Sequence, residues 1–158
     1  MLLRRAFVSS ITLAAVLLSS SAFAQSTPQT LLIGTWRHTV LIRKIGDQAL
    51  EPQRMAGDSY LEFKSDGTWS STAPYNKSAG TYKWLDQERI ETTVVASGLL
   101  MQIGLVFVGQ IRVDENRLNL IRVQTVEEST KFLTPVKPGS PPYPNVMLTS
   151  IFTRVGER

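Results

Sequence analysis

The chain has 158 residues, 42% of them hydrophobic, no cysteine and a formal net charge of +4. This length suffices for one domain with its own core, and the lack of cysteine excludes disulfide bonds and thiol chemistry. Two of the basic residues, Arg4 and Arg5, lie in the leader described next, so the remaining basic excess is small and gives nucleic-acid binding little support.

Residues 1–24 have the features of an export signal. Two arginines precede an apolar run over Ala6–Leu18, and Ala22-Phe23-Ala24 has the small-x-small pattern that signal peptidases cleave after. The run is shorter than the roughly 20 apolar residues that span a bilayer. We therefore expect an exported protein, periplasmic or secreted, whose single domain covers residues 25–158 and contains no membrane span.

The remainder of the chain has the pattern of an all-β protein, because short alternating runs are separated by turn signals and no long helical stripe is present. Asp66-Gly67 between two such runs is a strong hairpin signal, since glycine adopts the positive φ that a tight turn needs. In the first run, period-two alternation predicts one inward face. That face would comprise Leu32, Gly34, Trp36, His38, Val40 and Ile42.

Gly98–Val113 is the most apolar segment after the leader. Its glycines argue against a long helix, but a short helix over Gly98–Ile103 is compatible with the pattern. Three interpretations are open for the segment: an apolar cavity wall, an oligomer contact, or a strand buried on both faces.

Pro135–Pro144 contains five prolines and cannot pair as an interior strand. We expect a stiff extended loop with polyproline character. Its role is open between covering a barrel mouth, binding a partner, and an insertion without a role. Val146–Val155 is then the closing strand.

Leu32-Ile33-Gly34-Thr35-Trp36 resembles the opening motif of lipocalin-like proteins, the calycin group of small antiparallel barrels. In that group the Trp lies across the closed end of the barrel, and an Arg late in the last strand packs over its indole. Arg154 matches that position by order along the chain, and the Phe63–Trp69 hairpin is similar to those of short bacterial lipocalin-like domains. The resemblance implies a single antiparallel lipocalin-like barrel of about seven to nine strands, with or without one short helix, closed at one end by Gly34, Trp36 and Arg154.

A barrel of this size either fills its interior with side chains or keeps room for one small ligand. Ordinary core packing is the simpler interpretation of each aromatic residue taken singly. His38 is the only histidine, and with no cysteine present it lacks the further ligands that a metal site needs. As a set, the candidates for a cavity lining are His38, Phe63, Trp69, Tyr82, Trp84 and Phe107.

No catalytic pattern is present. Asp86, Glu88 and Glu91 are close in sequence, but they fall on a predicted turn and an outward face, where solvated charge is expected. Motifs of hydrolases, zinc proteases and phosphate loops are absent. We expect a non-catalytic binding protein for a small apolar or amphipathic ligand, without cofactor or metal. The alternative is a filled barrel that acts through its surface as an envelope interaction or inhibitor-like module, with an unknown protein partner.

Overall fold

A computed structural model describes residues 26–125, 128 and 144–156. The expected leader, and all of the proline-rich segment except Pro144, lie outside the described residues. The elements are a helix α1 Pro28–Leu32, the strands β1 Gly34–Ile45, β2 Gln48–Ala49, β3 Gln53–Arg54, β4 Tyr60–Phe63, β5 Thr68–Ala73, β6 Asn76–Trp84 and β7 Arg89–Ser97, a 3₁₀ turn Leu100–Gln102, and the strands β8 Val106–Val113, β9 Arg117–Gln124 and β10 Val146–Arg154.

In the described part of the chain, eight strands form one closed antiparallel barrel. From β4 to β10 each strand pairs with the next in sequence, β1 pairs with β4, and the pairing of β10 with β1 closes the ring. The two-residue strands β2 and β3 pair with β1 outside this ring. Strands account for 61% of the structure. The predicted all-β fold with a single antiparallel barrel is confirmed.

The strand connections divide the barrel into two ends. The β4–β5, β6–β7 and β8–β9 turns lie with α1 at what we call the closed end, and the β5–β6 and β7–β8 connections lie at the opposite end, which we call the rim. Each closed-end turn has an aspartate, Asp66, Asp86 or Asp114, whose carboxylate accepts backbone N–H groups of the following residues. Aspartate suits these turns because its short side chain satisfies N–H groups that no strand partner reaches.

A β-bulge at Thr39 changes the inward face of β1. Before the bulge, Trp36 and His38 pair with alternate residues of β10, whereas Val40 and Ile42 pair with β10 residues of the opposite parity. Since paired residues share a face and a bulge reverses the alternation, Val40 and Ile42 point away from the side of Trp36. The prediction that all four share the inward face was wrong.

The apolar segment Gly98–Val113 divides into a rim connection and a strand. The short helix expected near its start is only the 3₁₀ turn Leu100–Gln102, and Val106–Val113 is β8. Val106 and Val108 point outward and are exposed. The segment is therefore not a strand buried on both faces.

The buried core lies toward the closed end and includes the helix α1. Thr27 caps α1 by accepting from Thr30 N–H, and Pro28 occupies the first turn, where its missing N–H costs nothing. Leu32 at the end of α1 is fully buried. The core cluster consists of Leu32, Trp36, Leu61, Phe63, Ile90, Ile111, Leu118 and Phe152.

Trp36 and Arg154 are in contact at the closed end, as the motif predicts. The guanidinium carbon of Arg154 lies 4.0 Å from the indole centroid, and Trp36 is fully buried. Arg154 also donates to the carbonyl oxygens of Leu31 and Ile33, the latter at 2.9 Å, while Trp36 Nε1 donates to the carbonyl of Leu32 at 2.9 Å. The last carbonyls of a helix have no partner within the helix. The Trp–Arg pair supplies these partners and holds α1 across the barrel end.

Gly34 makes room for the Arg154 side chain. Its φ is +131°, a conformation that residues with a side chain rarely adopt. A Cβ added at this position would lie 2.6 Å from Arg154 Nη1 and would displace the guanidinium. The Gly-x-Trp spacing therefore has a physical cause. Gly34 leaves space for the Arg154 guanidinium, and the Trp36 indole packs against that guanidinium.

We expect Trp36→Ala to lower the free energy of unfolding by about 3–5 kcal/mol, as truncation of large buried aromatic residues does. The matched control is Tyr75→Ala, because Tyr75 is 97% exposed and should change stability by no more than about 0.5 kcal/mol. Urea unfolding followed by circular dichroism measures both. Equal unfolding midpoints for the two variants would contradict a structural role of the Trp36 contacts.

Candidate functional site

The barrel contains a cavity of about 300 Å³. This volume is about twice that of an engineered apolar cavity of ~150 Å³ that binds benzene, and it reaches the lower end of the ~300–1,000 Å³ range of ligand pockets. The interior therefore has room for a small organic molecule. The lining side chains come from β4, β5, β7, β8 and β9: Leu61, Phe63, Trp69, Ser71, Ile90, Thr92, Phe107, Gly109, Leu120 and Arg122.

The cavity exists because several inward positions carry small residues. Ser71, Thr92 and Gly109 lie at positions where the barrel would otherwise place larger side chains. A Cβ added at Gly109 would already lie 2.8 Å from Leu120 Cδ1, so the glycine lets Leu120 approach the β8 backbone. Space is left between these residues rather than filled by them.

Arg122 brings a positive charge to the cavity lining. Its guanidinium carbon lies 4.5 Å from the centroid of the Phe107 ring. Burial lowers the pKa of Arg122 below its ordinary value, and the nearby Glu128 carboxylate partly opposes this effect. The side chain nevertheless stays charged at neutral pH, as arginine does in proteins. Within the described part of the chain we find no salt bridge or hydrogen bond to this guanidinium, so its N–H groups can donate to an acceptor in the cavity.

Three of the predicted lining residues, Phe63, Trp69 and Phe107, border this cavity. Trp69 is fixed in place because its Nε1 donates to the carbonyl of Thr81 at 3.1 Å. Phe107 is held against the Arg122 guanidinium. The three rings come from β4, β5 and β8 and form the aromatic part of the wall.

Tyr82 and Trp84 lie at the closed end and do not border the cavity. The Tyr82 ring packs edge-on against Phe63 with centroids 5.0 Å apart, and its hydroxyl donates to the carbonyl of Lys64 at 2.8 Å. Burial, followed by the negative charge of Asp66, raises the pKa of the Tyr82 hydroxyl. Both rings border a shallow groove between α1 and the β4–β5 turn.

His38 also lies away from the cavity lining. Its ring stacks on Phe152 with centroids 4.5 Å apart and an angle of 22° between the planes. Burial lowers the pKa of His38, and a hydrogen bond with the backbone of Val40 opposes this effect. Within the described residues its buried Nε2 has no hydrogen-bond partner. Burial therefore favours the neutral form of the imidazole over the protonated form.

Arg122 is the functional candidate that the sequence reasoning missed. Period-two alternation places Leu118 and Leu120 on one face of a strand, and the same alternation continued by two residues reaches Arg122. The pairing of Arg122 with Leu148 of β10 keeps it on that face. The alternation along this strand therefore indicated an inward position for Arg122. An arginine that follows alternating apolar residues is, however, more simply interpreted as exposed to solvent.

No group of three or more His, Cys, Asp or Glu side chains among the described residues is placed to hold a metal ion. A scan against protein-family models and a search of curated proteins found no match to this chain. Within the described ranges, no helix is both long and apolar enough to cross a membrane. The class that the fold defines is thus architectural: a closed eight-stranded antiparallel barrel with an internal cavity.

We expect acidification below about pH 6.5 to destabilise the protein through His38. Because burial lowers the pKa of His38 in the folded state below its ordinary value of 6.5, the unfolded chain takes up this proton first. The stability linked to His38 is complete above the unfolded pKa and is lost as the pH falls through the folded pKa. Urea unfolding at about pH 7.5 and about pH 5.5 measures the loss.

The matched variant for this prediction is His38→Gln, which keeps a polar side chain but cannot titrate. Carboxylates affect both proteins alike, so the wild-type protein should lose more stability than the variant over this interval. Since His38 is the only histidine, its NMR titration gives the folded-state pKa directly. Parallel losses in both proteins, or a pKa of 6.5 or above, would contradict the burial argument.

Proposed function

We propose that this chain is a lipocalin-like, non-catalytic binding protein that holds a small amphipathic molecule in its barrel, with an anionic group of that molecule at Arg122. The observation that carries the proposal is the 300 Å³ cavity, whose described lining is apolar and aromatic apart from two hydroxyl residues and Arg122. The eight-stranded antiparallel barrel and the Gly34, Trp36 and Arg154 contacts support the family part of the proposal. Export directed by residues 1–24 would place the protein in the periplasm or outside the cell.

Apolar burial would provide most of the binding free energy. Each Å² of apolar ligand surface removed from water contributes about 25 cal/mol. Phe63, Trp69 and Phe107 offer large rigid surfaces that lose little conformational freedom when a ligand binds. A pocket that already exists also spares the ligand the cost of opening one.

Arg122 would fix the orientation of the ligand and select its charge. A guanidinium can donate two parallel hydrogen bonds to one carboxylate, and such charge-assisted bonds are stronger than neutral ones. Stacking on Phe107 restricts the plane of the guanidinium before any ligand arrives. A partly buried cation that lacks a carboxylate at salt-bridge distance within the described residues gains most from an anionic ligand.

The alternative, a filled barrel that acts only through its surface, has less support, because the barrel interior contains open space. Its proposed contact loop, Pro135–Pro144, lies almost wholly outside the described residues. A catalytic role has no support among the lining residues either, since neither Ser71 nor Thr92 has an imidazole or a carboxylate beside it in the described lining.

We expect decanoic acid to change the tryptophan fluorescence saturably, since Trp69 borders the cavity. Ser71→Phe should abolish the response by filling the space. Thr72→Phe is the matched control, because the next residue along β5 is exposed and faces solvent, so binding should be kept. If Ser71→Phe leaves a folded barrel that binds as well as Thr72→Phe does, the ligand does not occupy this cavity.

We expect Arg122→Met to weaken decanoic acid binding by about 10–100-fold, the equivalent of roughly 1.5–3 kcal/mol for hydrogen bonds to a charged group. Binding of decanol, which has no carboxylate, should change little, and this uncharged ligand is the matched control. Isothermal titration calorimetry measures both. Equal losses for acid and alcohol would show that Arg122 only maintains the shape of the cavity, and an unchanged acid affinity would contradict its proposed role.

A further inference from the structure

The rim carries the most exposed large apolar side chains of the described chain. Tyr75 in the β5–β6 turn is 97% exposed, and Leu100 and Met101 in the β7–β8 connection are 79% and 64% exposed. Leu99 and Ile103 of the same connection are also exposed. We call these five residues the rim tip. Exposed apolar side chains occur singly on most proteins, but a projecting group of them marks an interaction surface.

Hydrogen bonds hold the two connections of the rim together as one unit. The Gly98 N–H donates to the carbonyl of Lys77 at 2.9 Å, which links the β7–β8 connection to β6. Asn76 Nδ2 and Ser97 Oγ donate to Gln102 Oε1 at 2.9 Å and 2.8 Å. The apolar residues of the rim tip are thus held at the surface by a structured loop.

Solvation alone would favour a 3₁₀ turn with its polar side chain in water and its apolar side chains buried, and this turn has the opposite orientation. Its polar residue, Gln102, is half-buried and bonded to the barrel wall, whereas the apolar Leu100 and Met101 face water. Burial of apolar surface is favourable. The exposed side chains of Leu100 and Met101 would therefore gain from contact with another surface, which the isolated chain does not provide. The polar network sets the apolar residues outward.

The two connections that form the rim tip contain no acidic residue. No acidic residue occurs between Asp66 and Asp86, and no charged residue of either sign occurs between Glu91 and Arg112. These two stretches contain both rim connections. The nearest charge along the β6 side is the exposed Lys77, hydrogen-bonded through its backbone to the rim. The aspartates of the β4–β5, β6–β7 and β8–β9 turns lie at the opposite end.

We propose that the rim tip docks into the headgroup region of a lipid bilayer that contains anionic lipids. Leucine, methionine and isoleucine enter the boundary between headgroups and acyl chains, tyrosine is favoured at that depth, and a flanking lysine attracts the negative surface. Tyr75, Leu100 and Met101 are the most exposed large apolar side chains of the described residues, which suits insertion into lipid. This inference goes beyond the proposed ligand binding and does not depend on the cavity being occupied.

The test uses single cysteine labels on the full chain, which contains no native cysteine. Met101→Cys carries an environment-sensitive fluorophore at the rim tip, and Val155→Cys carries it at the closed end. Vesicles of equal parts phosphatidylcholine and phosphatidylglycerol should lower iodide quenching at position 101 about threefold or more, with little change at position 155. Vesicles of phosphatidylcholine alone should give less protection, because the attraction of Lys77 is lost.

Additional substitutions separate docking from other causes of protection. In the chain labelled at position 101, Leu100→Gln with Tyr75→Ser should largely remove the protection, whereas Leu85→Gln at the closed end should keep it, since Leu85 is also exposed. The Ser71→Phe chain should dock normally, so failure of ligand binding is distinguishable from failure of docking. Protection at both labels, or at neither label, would overturn the proposal. Protection that rises with protein concentration without vesicles would instead show association between copies of the chain.

Discussion

The structure depends on the contact between the Arg154 guanidinium and the Trp36 indole at the closed end. One cation lies on an aromatic face and at the same time donates to carbonyls at the end of α1. It joins the last strand to the first strand and to the helix before it, and both of these are remote from the last strand along the chain. Gly34 is required because a side chain there would occupy the position of the guanidinium. The closing pair of strands, β10 and β1, is thereby fixed in register.

Because the core side chains pack at the closed end, the remainder of the barrel interior does not have to be filled with side chains. Leu32, Trp36 and Leu118 are fully buried near the closed end, whereas the small residues Ser71 and Gly109 border the space above. A barrel of eight strands is at the size where side chains can just fill the interior or leave room for one small ligand. The stability of a barrel with such a cavity therefore comes from the closed end and from the strand pairing.

The sequence predicted the features that follow from local chemistry or periodicity. Alternation indicated the strands, Asp66-Gly67 indicated a hairpin turn, and the resemblance to lipocalin-like proteins implied the Trp36–Arg154 contact. It could not indicate the bulge at Thr39, because an extra residue in a strand depends on the partner strand. Residues 76–80 resemble a loop in composition but form part of β6, since pairing on both sides overrides weak local preference. The cavity was beyond sequence reasoning, because its volume is the sum of many side chains in three dimensions.

The up-and-down topology explains why the two ends of the barrel differ in chemistry. The β4–β5, β6–β7 and β8–β9 turns at the closed end are tight, and the aspartate of each accepts backbone N–H groups of the turn. The β7–β8 connection at the rim is longer, and there the side chains of Asn76, Ser97 and Gln102 satisfy one another and the N–H of Leu99 without any charge. Because neutral side chains make these hydrogen bonds, the β7–β8 connection contains no acidic residue beside its exposed apolar side chains. The three aspartates thus lie at the closed end for reasons of turn geometry, whereas the β5–β6 and β7–β8 connections at the rim carry no acidic residue.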